Sequence, residues 1–245
     1  MRKKAFIIHL TRAEARRPFV DRLIDACPMD AAVVEGVDGA ALKPEDIEAV
    51  YSPGLRQPHY PFALREAEIG CFLSHRACWR RIVEDGLDYG LVLEDDATID
   101  ASNIGPAVAF AERHIAELGY IQLPVRKTPA NALVRYESEG MKLLAPQVVP
   151  LRLSGQLISV EAAKRLLYVT EVFDRPVDTL LQMHWFTGIR PVILDLPVLQ
   201  DNSQAAGGST IGSGKSPWER LDREVRRFIY RRKIARLSRR KPASS

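Results

Sequence analysis

Three consecutive acids, Glu94-Asp95-Asp96, end the apolar run Tyr89-Gly-Leu-Val-Leu. Leu91, Val92 and Leu93 predict a strand buried on both faces. An unpaired buried charge is very costly, so the acids must emerge at the strand's carboxyl end, where open α/β sheets bind ligands. Clustered carboxylates repel one another unless a cation sits between them. Oxygen ligands of this kind suit Mn²⁺ or Mg²⁺, which complete their shells with water and phosphate oxygens. The chemistry implied is that of a diphosphate-handling enzyme. The bland alternative is a solvated acidic turn.

Three more features could serve such a site. Arg12 and Arg16 stand one helical turn apart just after the first apolar run, a place that suits phosphate or nucleotide contact. His75 sits in the middle of an apolar helical face, with Ser74 at its margin. It reads either as a core histidine with one hydrogen-bond partner or as a site residue held beneath the acidic loop. Asp178, at the entry to an apolar stretch, is either a helix cap or a lone carboxylate of the kind a general base requires.

The elements that must position these groups follow in order. Residues 4–10 predict a first strand, and Thr11 with Glu14 has the spacing of a capping box that opens a helix through Phe19, Val20, Leu23 and Ile24. Residues 31–37 predict a second strand closed by Asp38-Gly39. Residues 52–62 read as a long loop. Residues 66–85 predict a helix whose face holds Cys71, Phe72, His75, Cys78, Trp79, Ile82 and Val83. A helix over 102–118, a short strand over 119–123, β-like pieces at 132–136 and 142–145 that read as a hairpin or a peripheral flap, and a strand over 153–159 come next. A capped helix begins at Ser159, a helix covers 179–186, and a last strand covers 188–196. Residues 204–216 have the composition of a flexible linker.

The final segment, 217–245, is a basic helix and tail. Between Lys215 and Lys241 there are 12 basic and 3 acidic residues, a local +9. The whole chain carries +4, so the remainder is net negative. The basic character is thus a property of the tail, a domain-wide nucleic-acid reading is weak, and no nucleic-acid partner is expected. Trp218, Leu221, Val225, Phe228 and Ile229 form an apolar stripe among arginines, a pattern that fits an anionic membrane surface or a helix docked on its own domain. No apolar run reaches the roughly 20 residues of a membrane span. Cys27, Cys71 and Cys78 show neither metal-ligand spacing nor an even disulfide set, which points to a reducing, cytoplasmic compartment.

Taken in order, several segments resemble glycosyltransferase family 25, the lipopolysaccharide and lipooligosaccharide glycosyltransferases related to collagen galactosyltransferases. They are Phe6-Ile-Ile-His9-Leu10-Thr-Arg12 with Arg16, Val37-Asp38-Gly39, Glu68-Ile69-Gly70-Cys71-Phe-Leu-Ser74-His75 running on to Leu91-Val-Leu-Glu94-Asp95-Asp96, Ile158-Ser159 with Ala162-Ala163, and Pro176-Val177-Asp178. His9 departs from the asparagine usual in that family's first strand. The resemblance covers most of residues 4–203. It implies an α/β fold, a single Rossmann-like nucleotide-sugar-binding domain of the metal-dependent glycosyltransferase A type with a mixed central sheet flanked by helices. It also implies a UDP-hexose donor such as UDP-galactose, a saccharide acceptor, and inversion at the transferred carbon.

The expectation is then a catalytic domain over 1–203, the linker, and the basic helix. Glu94 and Asp96 hold the metal. Arg12, Arg16, Glu68, Ser74 and Asp95 contact the donor. Asp178 is the base, and His75 acts beside it. The acceptor is a saccharide, free or lipid-linked, and a lipid-linked one would be met at the inner face of a membrane. Two rival readings remain: another metal-dependent nucleotide or phosphate enzyme, and a non-catalytic membrane-surface binding protein.

Overall fold

In the computed structural model, which describes residues 1–125, 132–202 and 217–239, strands and helices alternate from the start. β1 (Lys3–His9) leads through a 3-10 turn (Glu14–Arg16) into α1 (Arg17–Ala26) and β2 (Ala31–Glu35). A second 3-10 turn (Gly39–Ala41) and α2 (Pro44–Val50) precede the long α3 (Glu66–Glu84). Then come β3 (Tyr89–Glu94), β4 (Ala97–Ile99), α4 (Ile104–Glu112), α5 (Ile115–Leu118), β5 (Tyr120–Gln122), β6 (Leu133–Ser138) and β7 (Met141–Ala145). The chain continues with β8 (Gly155–Ser159), α6 (Val160–Val169), α7 (Val177–Leu181), α8 (His184–Thr187), β9 (Val192–Leu194), β10 (Leu199–Asp201) and α9 (Pro217–Leu237).

Eight strands form one mixed sheet in the order β2-β1-β3-β8-β5-β9-β7-β6. β2, β1 and β3 are parallel, so their carboxyl ends, and the loops that follow, share one edge. β8 enters antiparallel between β3 and β5. The alternation of strand side chains builds a core on each face. Ala5, Ile7, Leu91, Leu93 and Leu157 pack toward Val20, Leu23 and Phe110 on one side. Phe6, Val92 and Ile158 pack toward Phe72, Trp79, Leu166 and Leu180 on the other. The expected mixed α/β sheet flanked by helices is the fold observed.

Several local expectations are corrected. The capping box does not form, because the Thr11 amide and hydroxyl both go to the Glu35 carboxylate, and α1 begins only at Arg17. The helix expected over 102–118 breaks at Arg113–His114. The stretch over 179–186 is divided between two short helices. The hairpin reading of 132–145 is the one observed, with β6 antiparallel to β7, and β7 joins it to the edge of the central sheet through β9. β4 and β10, three residues each, pair with one another just beyond the acidic triplet.

The loop after β2 lies backbone to backbone on the first turns of α3. A Cβ on Gly39 would fall 1.9 Å from the Glu66 carbonyl oxygen, and one on Gly70 would fall 2.4 Å from that of Val37. Neither contact can be relieved by a side-chain rotation. Gly70→Ala is expected to cost about 1–3 kcal/mol, the usual range for overpacking. A fall in Tm of several degrees in a thermal melt would show it. Gly105→Ala, which meets open space, serves as the control.

α9 is docked by Tyr230, Ile234 and Ser238, which are buried at a spacing of four. Ile234 and Tyr230 pack with Met183, and the Tyr230 hydroxyl accepts a 2.8 Å bond from Arg175. Arg175 is itself fully buried. It pairs with Asp174 and donates to the carbonyls of Arg56 and Pro58. The stripe singled out in the sequence is a different face. Trp218, Leu221, Val225, Phe228 and Ile229 are all exposed, Trp218 by 79%. The proposed linker and the residues from 240 onward lie outside the described residues. Among the described residues, no helix is long and apolar enough to cross a membrane.

Candidate active site

β1 and β3 deliver their last residues side by side at the shared edge, with Ile8 opposite Glu94. The acidic triplet is split there. Asp95 turns inward and is 7% exposed. One oxygen faces His9 Nδ1 at 2.8 Å and the other accepts from Arg16 at 2.9 Å. Two donors satisfy a carboxylate that burial would otherwise make very costly. Asp95 thus ties the loop after β1 to the loop after β3, and it also lines the cleft. His9, the unusual residue of the first strand, is half of that tie.

Glu94 and Asp96 remain open to the cleft. Glu94 accepts a 3.0 Å bond from His75 Nε2. His75 is fully buried, and Gln156 Nε2 donates to its Nδ1 at 2.8 Å. That donation assigns the ring proton to Nε2, where it is given to Glu94. The Tyr120 hydroxyl bonds in turn to Gln156 Oε1. Tyr120, Gln156 and His75 form a buried relay that orients one carboxylate. Both nitrogens of His75 are engaged, one of them with Glu94, so a histidine buried in the core is bonded to an acid of the cleft. Asp96 is pushed up to about 6, first by burial and then by the Glu94 charge.

Two chambers meet at these acids. The first, of about 460 Å³, is lined by Arg12, Arg16, Asp38, Arg65 and Ser74. Arg12 grips Asp38 at 2.6 and 3.1 Å. The Ser74 hydroxyl donates to the Gly70 carbonyl at 2.7 Å and accepts from the Val37 amide at 2.8 Å, so it braces the glycine contact described above. The second, of about 560 Å³, is lined by Glu68, Arg152, Ser154 and Asp178. Glu68 caps α3 by accepting from the Arg65 amide at 2.9 Å. Asp178 opens α7. It accepts from the Thr179 amide at 2.6 Å and the Arg152 amide at 3.2 Å, and burial raises its pKa. Arg152 holds φ at 90°, a strained conformation for a side-chain-bearing residue and of a kind that clusters at functional sites. It also pairs with Asp201 of β10.

The structure therefore brings together all nine residues singled out in the sequence, although Asp95, Ser74 and His75 face inward. Sequence reasoning missed Arg65, Arg152, Gln156 and Cys71. Only Cys71 had a local signal, one turn before His75 on the same helix face.

The carboxylates fit a divalent cation. Burial and mutual repulsion oppose the charge on Asp96, and a cation beside Glu94 and Asp96 would relieve both. Hard oxygen donors suit Mg²⁺ or Mn²⁺. A second grouping, Cys71, His75 and Glu94, places ligand atoms within 4.8 Å of one another. It fits less well. The Cys71 thiol is held well above its usual range, first by burial and then by nearby carboxylates, and a soft thiol suits Mg²⁺ or Mn²⁺ poorly. His75 would also have to give up the bond at whichever ring nitrogen met the metal.

The profile described as "Glycosyltransferase family 25 (LPS biosynthesis protein)" matches residues 2–181. The chain belongs to glycosyltransferase family 25. The matched region contains every residue of the cleft named above except Asp201, and α9 lies beyond it. Among family 25 proteins, human procollagen galactosyltransferase 2 is 36% identical over 98 residues, 39% of this chain and 16% of that protein. A glycosyltransferase 25 family member of Drosophila melanogaster is 29% identical over 192 residues, 75% of this chain and 30% of that protein. The human "inactive glycosyltransferase 25 family member 3" is 27% identical over 237 residues, 88% and 40%. The chain thus spans well under half the length of these relatives. A crystal structure of a glycosyltransferase involved in glycosylation of the major capsid of PBCV-1 superposes with a TM-score of 0.44 at 11% identity, covering 91% of this chain and 100% of that one.

Proposed function

We propose that this family 25 protein transfers a hexose, galactose in the first instance, from a UDP-sugar to a saccharide hydroxyl with inversion, in the building of lipopolysaccharide or a related cell-surface glycan. One observation carries the reading. Glu94 and Asp96 stand where an arginine-lined chamber meets the chamber that holds Asp178. A donor in the first chamber and an acceptor in the second would meet at the acids. The names of the galactosyltransferase relatives support the donor class.

In this reading the nucleotide lies beside Arg12 and Arg16, with its diphosphate directed at Glu94 and Asp96. A divalent ion there would supply Lewis-acid stabilisation of the leaving diphosphate. Asp178 accepts the proton of the acceptor hydroxyl. That oxygen bonds to the anomeric carbon as the bond from this carbon to the β-phosphate oxygen breaks, and UDP departs with the electron pair. Burial raises the proton affinity of Asp178, as a general base working near neutral pH requires. Arg65 and Arg152 border the same space and oppose the charge that builds on the leaving group.

The outer face of α9 supports contact with an anionic membrane, since its exposed apolar stripe is flanked by Arg226 and Arg232. Vesicles containing anionic lipid should co-sediment the protein at low salt and release it at high salt. Trp218→Ser with Phe228→Ser should weaken that binding several-fold without changing donor binding. Equal sedimentation with neutral vesicles would remove this part of the reading.

The activity is tested by incubating the protein with UDP-galactose and related nucleotide sugars, Mn²⁺ and a panel of saccharides. An acceptor gaining one hexose is the expected product. Cleavage of the donor to UMP and galactose 1-phosphate without sugar transfer would replace the reading with another phosphate enzyme.

A further inference from the structure

A third cavity, of about 670 Å³, opens between α9 and the body of the fold. It lies within the range of ligand pockets, about 300–1,000 Å³. Arg152 and Ser154 line both this cavity and the Asp178 chamber, and Thr179, the neighbour of Asp178, lines it as well. Its walls are apolar, with Phe62, Val125, Val148, Val149, Leu151 and Ile234 among them. Family 25 resemblance does not account for it, since α9 lies outside the matched residues.

Two features limit what it can hold. Arg227 and Arg231 line its α9 wall, and Arg231 makes no ion pair among the described residues. The Gln122 side chain donates to the Arg152 carbonyl and leaves its Oε1 without a partner among the described residues. An apolar room with guanidinium groups on one wall favours a ligand that is apolar and anionic together. A free sugar is neither. α9 also exposes its apolar stripe on its outer face, so the helix that walls the cavity is the one suited to lie on lipid.

We propose that this cavity is an anchor subsite of the acceptor, taking the apolar chain and phosphate of a lipid-linked saccharide while its glycan reaches Asp178. The proposal rests on the glycosyltransferase reading. It implies that the protein selects its acceptor by what the glycan is attached to as well as by the glycan itself.

The test is isothermal titration of the full-length protein with n-decyl phosphate below its critical micelle concentration. Inorganic phosphate and decyltrimethylammonium are the comparisons, and UDP with Mn²⁺ is titrated in parallel. Decyl phosphate should bind at least about tenfold more tightly than either comparison, since each tenfold needs only 1.4 kcal/mol. Leu151→Asp, on a half-exposed loop, and Ala235→Trp, on the cavity wall, should each weaken it about tenfold and leave UDP binding unchanged. Arg231→Glu should abolish the preference for the phosphate over the ammonium compound. Decyl phosphate should also inhibit transfer competitively against the acceptor and not against the donor. UDP binding without decyl phosphate binding, or decyl phosphate binding indifferent to Leu151→Asp and Ala235→Trp, would overturn the anchor subsite alone. Decyl phosphate binding with the expected sensitivities in a protein that binds no UDP would overturn the donor reading and the acceptor role with it.

Discussion

Asp96→Asn is expected to lower kcat/KM by about 10³-fold and, at pH 7.5, to raise Tm. The loss follows from removing one of the two open carboxylates at the junction of the chambers, where leaving-group charge has to be stabilised; removal of one preorganised electrostatic group typically costs about 10²–10³-fold. The gain follows from proton linkage. Asp96 titrates at about 6 in the folded protein, above its ordinary 3.8, so its charge opposes folding at pH values above 6. That penalty fades as pH falls through 6 and is gone below the ordinary carboxylate value. At 1.36 kcal/mol per pKa step, and with Asp96 only partly buried, it amounts to about 1–3 kcal/mol. Asparagine carries no charge to penalise. The Tm difference between variant and wild type should therefore be positive at pH 7.5 and shrink to nothing near pH 4. Mn²⁺ should raise the Tm of the wild type at pH 7.5 and leave the variant unmoved. A variant that is inactive because it is unstable would show the opposite sign at pH 7.5, so the melt separates a damaged fold from a damaged site.

Asp178→Asn is expected to lower kcat about 10²–10⁴-fold, the range for loss of a general base, with the affinity for UDP unchanged. The two effects separate because Asp178 lines the second chamber and not the first. Asparagine keeps an oxygen for the Thr179 amide, which holds the start of α7 in place. The pH dependence adds an independent check. Burial raises the Asp178 pKa, so wild-type turnover should fall on the acid side at a pH above the usual carboxylate range. The residual activity of the variant should lack that limb. Unchanged kcat would move the base role to another group, and an unchanged acid limb would show that the limb reports a different residue.

How far the sequence alone could lead differs from element to element. β1, β3 and α3 were legible because each is long enough to show its period, and α3 adjoins β3 through a short connection. The site's outline followed, since a buried strand that ends in acids can only deliver them at its carboxyl edge. The fate of Asp95 was not legible. Its partners, His9 and Arg16, lie 86 and 79 residues away, and only the parallel pairing of β1 with β3 brings them together. Thr11 matched a capping box by spacing, but Glu35 competes for it across the parallel β1–β2 pair, and tertiary contact won over the local motif. Gln156 sits in a strand that reads as plain core, and its bond to His75 exists because β8 runs antiparallel beside β3. β4 and β10 are too short for any period to appear. In α9 the larger and more apolar stripe drew attention, yet the docked face is Tyr230, Ile234 and Ser238. Tyr230 can be buried because Arg175 meets its hydroxyl from 55 residues away.

The most direct test of the central claim, that the cleft is a metal-dependent UDP-sugar site built on Glu94 and Asp96, is calorimetric titration of UDP with and without Mn²⁺ on the wild type and on Asp96→Asn. The account predicts binding by the wild type that depends on Mn²⁺ and is lost in the variant. UDP binding that is indifferent to both the metal and the substitution, or no UDP binding under any divalent ion, would contradict it.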